Sequence, residues 1–522
     1  MHFTAHDELQ LLALLVALGA MLVGAALRGL PVPVLLVGGG LLMGFVPGLP
    51  HVQLAPDIVL VAILPPLLYS AAFFTGLRDL RANLRPISLL AFGLVTATTC
   101  GVALVAHLAI PQLSLAGAFT LGAILSPTDA LAATEALGRL GLPRRIVSVL
   151  EGESLINDGM ALVLYKFAVA AAVSGAFSFW HAAWRLPVNV VGGIAVGLVV
   201  AYVVRQVRKR VDDTPTEVAI ALLSGYLAYL PASALGVSGV LAAVTIGVYM
   251  GWYTPELTTV QTRLSGNAFW ELLVFLVNAL LFALLGLQLH DIAARLSITA
   301  TLIAQCAAVV GAVVVVRVIW VPVFTYVPRR LFRSVRERDP YPPWQYPVVI
   351  SWAGVRGAVS LAAALALPND VPHRDLIVFV TFVVILFSLI GPVLTLPGLV
   401  RVLGIEQDGS AEREDAKARI KAAEAALARL EELADEDWVH PDTVDRLRGQ
   451  YRFRTSRFQA RYTGEDGDGV EERSTRYQRL RRELLDAERG AVLALRNDGV
   501  ITEEVMHRVQ RDIDLEASRL DV

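Results

Sequence analysis

The sequence is poor in cysteine, in histidine patterns that bind metals and, over most of its length, in charge. Its two cysteines, Cys100 and Cys306, both fall in apolar segments, so we predict buried thiols and exclude a disulfide framework. Its nine histidines are scattered, and no membrane segment carries the i, i+4 pair typical of a helical zinc site. Met1–Gln10 lacks the basic region of a signal peptide, so residues 9–27 are predicted to form a retained helix.

Apolar residues dominate the composition. The 522-residue chain is 55% hydrophobic, and its mean hydropathy is +0.58. A soluble globular protein does not need so much apolar sequence. Charged residues are confined to short loops before Arg401 and dominate after Ser410, so the net charge of -2 averages two unlike parts and gives no indication of nucleic-acid binding. We therefore predict a transmembrane domain, residues 1–405, and a cytoplasmic helical tail domain, residues 406–522.

Hydropathy predicts an all-α polytopic membrane protein with about thirteen transmembrane helices. These lie near residues 9–27, 32–46, 57–76, 86–109, 114–138, 146–173, 186–205, 216–231, 237–252, 268–289, 297–327, 346–367 and 375–401. Arginine and lysine recur in alternate loops, at residues 28, 78–85, 139–145, 208–210, 263 and 329–338. That side is predicted to be cytoplasmic, with the N-terminus outside and the tail inside the cell (inner) membrane.

The tail pattern predicts solvated helices. Residues 411–434 alternate acidic and basic side chains over alanine and leucine, and residues 471–496 and 502–520 are amphipathic. We see no phosphate-cradling glycine loop and no nucleotide fingerprint there. The tail is predicted to be a small helical bundle or a dimerisation element, and a ligand-sensing role stays open.

Asp158 is the most informative residue of the membrane segments. From Arg145 to Asp158 is 13 residues, roughly 20 Å of helix at about 1.5 Å per residue, so Asp158 lies deep in a hydrocarbon core of about 30 Å. A carboxylate costs about 3 kcal/mol or more there, and it is tolerated mainly beside a cavity, a partner or an ion. This residue favours ion movement over enzyme chemistry.

Pro127 interrupts the preceding helix near mid-depth, within Ser126-Pro127-Thr128-Asp129. Proline removes a backbone donor, and the carbonyls that it frees need partners, which a cation can supply. Broken helices of this kind form midplane ion sites in transporters. Asp129 adds a second carboxylate, although a kinked helix capped by Asp129 is the structural alternative.

The polar residues near Asp158 predict an ion site with a supporting pair. Ser154 and Asp158 share one helix face, and their hard oxygens suit Na⁺, Li⁺ or a proton. Asn157 is predicted to anchor Asp129 or the broken backbone. Glu153 needs a buried partner, for which we predict Arg356. Three further polar residues lie in the helix near 268–289: Glu271 near its cytoplasmic end, Asn278 and Gln288. Lys166 and Arg317 also fall inside apolar helices.

These motifs together resemble a known family, the monovalent cation/proton antiporters, in the sodium/proton exchanger branch and its bacterial form. The resemblance covers residues 9–401 and rests on four stretches: Ser126-Pro127-Thr128-Asp129; Glu151-Gly152-Glu153-Ser154-Leu155-Ile156-Asn157-Asp158-Gly159; Phe269-Trp270-Glu271 with Asn278; and Gly354-Val355-Arg356-Gly357-Ala358-Val359-Ser360.

The resemblance implies a homodimer whose protomers hold two inverted six-helix repeats, with broken helices 5 and 12 crossing at the ion site. It implies that Asp158 binds Na⁺ and H⁺ in turn, with Asp129, Ser154 and the Thr128 backbone around the ion. It also maps a Glu–Arg pair onto Glu153 and Arg356. One position departs from the pattern: Ser70 stands where many relatives carry an acidic residue.

We therefore predict a Na⁺/H⁺ antiporter, not an enzyme, that exchanges Na⁺ or Li⁺ for H⁺ one for one, by alternating access and without a cofactor. K⁺/H⁺ exchange stays open, because hard-oxygen sites for these ions differ in cavity size rather than in residue type. A gated cation channel would need buried carboxylates but no broken helices. A membrane signalling protein would need an output motif, which the tail lacks.

Overall fold

The computed structural model describes residues 19, 23–24, 32–44, 58–129, 142–175, 179–296, 298–405, 409–463 and 469–518. Every regular element in these ranges is a helix, which confirms the predicted all-α class. The chain divides into two compact units, Met1–Glu406 (the membrane unit) and Gln407–Val522 (the tail unit).

The membrane unit consists of helices of very different length. In chain order the described ones are α1 (Val32–Gly44), α2 (Leu64–Phe74), α3 (Leu77–Ala82), α4 (Leu84–Ser88), α5 (Val95–Ala109), α6 (Leu115–Leu125), α7 (Arg144–Ser174), α8 (Phe179–Arg208), α9 (Thr214–Ala234), α10 (Gly239–Leu257), α11 (Val260–Arg295), α12 (Ala300–Leu331), α13 (Arg333–Arg338), α14 (Gln345–Trp352), α15 (Ala358–Leu365) and α16 (Arg374–Val402). Short π-helical segments, Ile58–Ile63 and Leu89–Leu94, precede α2 and α5.

Seven described helices are long and apolar enough to cross a membrane. They span Leu84–Ala109, Arg144–Ser174, Pro187–Arg208, Thr214–Ala234, Val260–Leu284, Ala300–Leu331 and Arg374–Val402. Each coincides with a predicted segment. The total of thirteen and the inverted repeats stay predictions, because residues 9–27 lie almost wholly, and residues 130–138 wholly, outside the described ranges.

Two helices are interrupted where the sequence carries proline or glycine. Ser114 accepts a hydrogen bond from Gly117 N (3.1 Å) and so caps the start of α6. The helix ends at Leu125, two residues before Pro127, and residues 127–129 are non-helical. The predicted helix 346–367 is divided into α14 and α15 by the glycine-containing residues 353–357.

Glycines bring α1 and α11 into backbone contact. A Cβ on Gly40 would overlap Ala283 O, and a Cβ on Gly286 would overlap Val37 O. Small residues permit this close approach between membrane helices. The contact fixes α11 beside α1, and both helices line the cavity described below.

The apolar core surrounds the interrupted helices. Leu121 of α6, Leu155 of α7, Ala363 of α15 and Val380 of α16 belong to one buried cluster, each with at most 3% of its surface exposed. Cys306 is buried as predicted, but Cys100 is exposed on α5, so that prediction was wrong. In a membrane segment the outward face is apolar too, and an apolar neighbourhood therefore does not indicate burial.

One carboxylate gathers three arginines at the ends of membrane helices. Asp339 accepts from Arg85 Nη1 (2.9 Å), from Arg145 Nη2 (2.6 Å) and from Arg329 Nη2 (2.6 Å). Burial raises the pKa of Asp339, but hydrogen bonds from Arg329 and Arg145 outweigh it and hold that pKa below its usual value. The cluster ties α4, α7 and α12 together.

The tail unit contains α17 (Ser410–Leu433), α18 (Pro441–Thr463), α19 (Val470–Asn497) and α20 (Glu503–Ser518). Arg448 of α18 donates to both carboxylate oxygens of Glu431 in α17 (2.7 and 2.8 Å). Three of these helices match the predicted segments, and α18 was not predicted.

Candidate functional site

The two interruptions, residues 126–129 and 353–357, meet and bond to each other. Asp129 N donates to Val355 O at 2.7 Å. Arg356 Nε donates in the opposite direction to Leu125 O, at 3.2 Å. Arg356 also bonds Gly354 O with its guanidinium, and its backbone N donates to Ser388 Oγ at 3.0 Å. Three carbonyls at the breaks, Val355 O, Leu125 O and Gly354 O, thus accept hydrogen bonds from the opposite break or from Arg356.

Gly357 lets Asp129 approach this crossing. A Cβ at position 357 would overlap the Asp129 carboxylate, so any larger residue would displace it. The predicted interruptions therefore place a carboxylate directly against backbone.

Helix α7 supplies the remaining polar groups. Asn157 Nδ2 donates to Thr128 Oγ1 at 2.7 Å, and Thr128 Oγ1 donates to Glu153 Oε1 at 3.1 Å. All three side chains are buried, as is Asp158. The predicted role of Asn157 as an anchor of the broken helix agrees with this contact to Thr128.

Glu153 pairs with Arg317, not with the predicted Arg356. Arg317 Nη1 and Nη2 contact the two oxygens of Glu153 at 2.5 and 2.8 Å, and both side chains are at most 2% exposed. Arg317 also donates to Ile350 O at the end of α14 (3.1 and 3.0 Å). The prediction of a Glu153–Arg356 pair was therefore wrong, because the Arg356 guanidinium is held by the carbonyls of the breaks. Gly354 leaves room for Arg317, since a Cβ there would overlap it.

Asp158 lines a cavity, and one oxygen of its carboxylate is left without a hydrogen bond from the described residues. Among the described residues, no group donates a hydrogen bond to its buried Oδ1. The carboxylates of Asp129 and Asp158 also interact electrostatically. A buried carboxylate oxygen without a donor is costly unless a proton or a cation supplies the missing partner.

These residues lie on the wall of a cavity of about 710 Å³. Its lining includes the predicted Asp129, Asp158, Ser154, Thr128, Ser70 and Glu271, together with Asn267, Asn278, Glu151 and Ser360. Four of the lining residues are acidic, and none of those identified is Lys, Arg or His. The cavity therefore attracts cations.

Two predicted accessory residues differ in what they offer. Ser70 is 2% exposed, and its hydroxyl donates to Leu67 O of its own helix at 2.9 Å. Glu271 is exposed on the wall of the cavity. The side chain of Gln288 lies outside the described residues.

Sequence reasoning missed Arg317 as the partner of Glu153 and missed Glu151 as a wall residue. Glu151 precedes Asp158 by seven residues, which is two helical turns, so the spacing 151–154–158 already places it on the same face. The only sequence signal for Arg317 was that a charged residue lies within a long apolar helix. No group of three or more His, Cys, Asp or Glu that could hold a metal ion occurs in the part of the chain that the structure describes.

The comparisons with known proteins agree on one family. The transmembrane sodium/hydrogen exchanger family matches residues 11–402. A Mycobacterium tuberculosis protein described as an uncharacterized Na⁺/H⁺ exchanger is 37% identical over 94% of this chain and 91% of its own length. A sodium, potassium, lithium and rubidium/H⁺ antiporter of Bacillus subtilis is 32% identical, over 92% of this chain and 73% of its own.

The fold is similar to that of a sodium proton antiporter from Methanocaldococcus jannaschii, with a TM-score of 0.60 and 18% identity. The likeness covers 74% of this chain and 99% of that one. Together with the family match over most of the membrane unit, it leaves one assignment: the chain belongs to the sodium/hydrogen exchanger family.

Proposed function

We propose that this protein exchanges Na⁺, and also Li⁺, for H⁺ across the cell membrane, with Asp158 as the shared binding site. The observation that carries the proposal is the buried Asp158 Oδ1, which has no hydrogen-bond donor among the described residues and lies at an acidic cavity beside two crossing breaks. Membership of a transporter family supports exchange rather than catalysis.

The mechanism is competition for one carboxylate. Asp158 holds a proton or a cation but not both, and conformations that open the site to opposite sides exchange one for the other. Oxygens of Asp129, Ser154 and the Thr128 backbone complete the cation site. The hydroxyl of Thr128 is engaged by Asn157 and Glu153, so the residue offers its backbone oxygen. These hard oxygens suit alkali cations.

We further propose that exchange is electroneutral. Asp158 carries no net charge in either loaded state, and Asn157 has no proton to release. The bond from Asp129 N to Val355 O fixes the backbone at Asp129. In this proposal Asp129 stays ionised throughout the cycle, so that only Asp158 exchanges a proton. The test is transport at membrane potentials set by K⁺ and valinomycin. A rate or end point that changes with the potential overturns one-for-one exchange.

The protein works as a homodimer in the cell membrane, with the N-terminus outside and the tail in the cytoplasm, and it operates by alternating access. The distribution of arginines supports this orientation: Arg85, Arg145 and Arg329 converge on Asp339 near the ends of their helices, and all three belong to the basic stretches that were predicted to be cytoplasmic.

K⁺/H⁺ exchange is the second candidate. It is favoured by the relatives from Bacillus whose names include potassium and rubidium beside sodium and lithium. The cavity is large enough to admit any of these ions, so its lining residues do not distinguish Na⁺ exchange from K⁺ exchange.

One experiment separates the candidates. Purified protein in proteoliposomes with an imposed pH gradient is exposed in turn to Na⁺, Li⁺, K⁺ and choline. We expect Na⁺ and Li⁺ to dissipate the gradient and choline to have no effect. Dissipation by K⁺ alone overturns Na⁺ exchange, and cation flux without proton movement indicates a channel.

A further inference from the structure

Helix α19 of the tail unit (Val470–Asn497) has one face committed to its neighbours within the unit. Leu485 is completely buried, and Ser474 is 4% exposed. Arg481 bonds Glu516 of α20, and Arg489 contacts Asp514 at 2.9 Å. These contacts fix the orientation of α19 within the tail unit.

A second face of α19, beside the committed one, carries an exposed apolar stripe with coiled-coil spacing. Six residues follow one another at alternating intervals of three and four, and all are exposed: Tyr477, Leu480, Leu484, Ala487, Ala491 and Ala494. We call them the seam. Tyr477 and Leu480 are each 60% exposed and Leu484 is 48% exposed. Apolar residues every 3.5 positions on average match a partner helix rather than a globular surface.

We propose that the seam binds the seam of a second copy of this chain, with the two helices antiparallel. The sizes of the residues decide the direction. In the antiparallel arrangement Tyr477 faces Ala494, Leu480 faces Ala491 and Leu484 faces Ala487, so every layer combines a large with a small side chain. A parallel pair would stack large on large at one end and alanine on alanine at the other, which leaves voids.

The flanking charges favour the same direction. A parallel pair would bring Glu483 opposite Glu488 of the second copy, and these like charges repel. Arg481 does not enter this comparison, because it is bonded to Glu516 of its own chain. An anionic lipid surface fits less well, because Glu483 and Glu488 flank the seam.

The test is disulfide formation between copies of the full-length protein. In a background in which Cys100 and Cys306 are serine, the double variant Tyr477→Cys/Ala494→Cys is oxidised mildly in membranes. The two positions lie 17 residues apart on one helix, about 25 Å at about 1.5 Å per residue, so they cannot bond within one chain. We expect a covalent dimer for the double variant and none for either single variant or for Arg482→Cys on another face.

Size swaps then test the pairing itself. Ala491→Leu should weaken the crosslink, because two leucines meet in one layer, and adding Leu480→Ala should restore it by reversing large and small. Crosslinking of Tyr477→Cys alone at an equal yield overturns the antiparallel direction. Equal yield from Arg482→Cys, no crosslink in the double variant, or no effect of the swaps overturns the seam as an interface between copies.

Discussion

The ion pairs compared here from the two units differ in how much of their side chains is exposed to solvent. In the membrane unit, Glu153–Arg317 and Arg208–Glu217 leave at most 3% of each side chain exposed. In the tail unit, Lys421–Glu424 leaves 71% and 46% exposed. Removing one partner of a buried pair strands a charge, whereas an exposed pair contributes little. The buried pairs of the membrane unit are therefore tied to its structure, while exposed pairs such as Lys421–Glu424 are largely interchangeable.

The largest effect is expected at Asp158, whose buried Oδ1 has no hydrogen-bond donor in the described part of the chain. Asp158→Asn keeps the shape and removes the charge that binds cation and proton, so Na⁺-driven proton movement in proteoliposomes should be lost. Asp375→Asn, an exposed position at the start of α16, is the matched control and should exchange normally. Near wild-type exchange by the Asp158 variant would contradict the site.

The buried pair should show the next largest effect, on stability. Glu153→Ala or Arg317→Ala should each cost about 3–5 kcal/mol, and the double variant should cost less than the sum. Thermal unfolding in detergent measures both. The coupling of Glu153 with Arg317 should exceed its coupling with Arg356. The reverse order would favour the pairing that sequence reasoning predicted.

Asp339 is intermediate, because it is partly exposed yet bonded to three arginines. Asp339→Asn should cost about 1–3 kcal/mol near neutral pH. Because the folded pKa is lowered, this stabilisation is present above the ordinary aspartate pKa of about 3.9 and is lost as the pH falls through the folded value. The unfolding temperatures of the wild-type protein and the Asp339→Asn variant should therefore converge in acid. A difference that stays constant with pH would contradict the electrostatic cause.

The acidic cavity wall should affect capture rather than exchange itself. Glu151→Gln with Glu271→Gln should weaken apparent Na⁺ affinity several-fold at low ionic strength, with a smaller loss when choline chloride screens the field. Glu256→Gln, exposed and outside the cavity lining, serves as the control. An effect that is independent of salt would argue against steering.

The smallest effect is expected in the tail. Lys421→Ala removes an exposed pair and should leave both the unfolding temperature and transport unchanged within error. A measurable loss in either would break the contrast between the units.

Sequence reasoning could select candidate ion-site residues because their signals are local. Pro127 and Gly354 mark interruptions by backbone chemistry alone, and the i, i+4 spacing of Ser154 and Asp158 follows from helix geometry. In the structure α6 ends two residues before Pro127, and residues 353–357 separate α14 from α15.

The partner of Glu153 could not be predicted from local sequence patterns. Arg317 and Arg356 are equally plausible by charge and depth. The choice depends on how α12 packs against α7 and on which guanidinium the freed carbonyls capture, as Leu125 O and Gly354 O capture Arg356. Helix count and repeat symmetry depend in the same way on relations between distant segments.

The hydrogen-bond chain from Asn157 to Glu153 has a direction. Thr128 uses its single hydroxyl hydrogen to donate a hydrogen bond to Glu153. Its oxygen therefore acts as the acceptor toward its other neighbour, and Asn157 Nδ2 is the donor. An ionised carboxylate at position 157 would offer no proton, and two acceptors would then compete for one hydroxyl. Asn157→Asp would therefore be accommodated in its protonated form, adding a titratable proton to the centre rather than a fixed negative charge. One amide thus sets how many protons the crossing can hold.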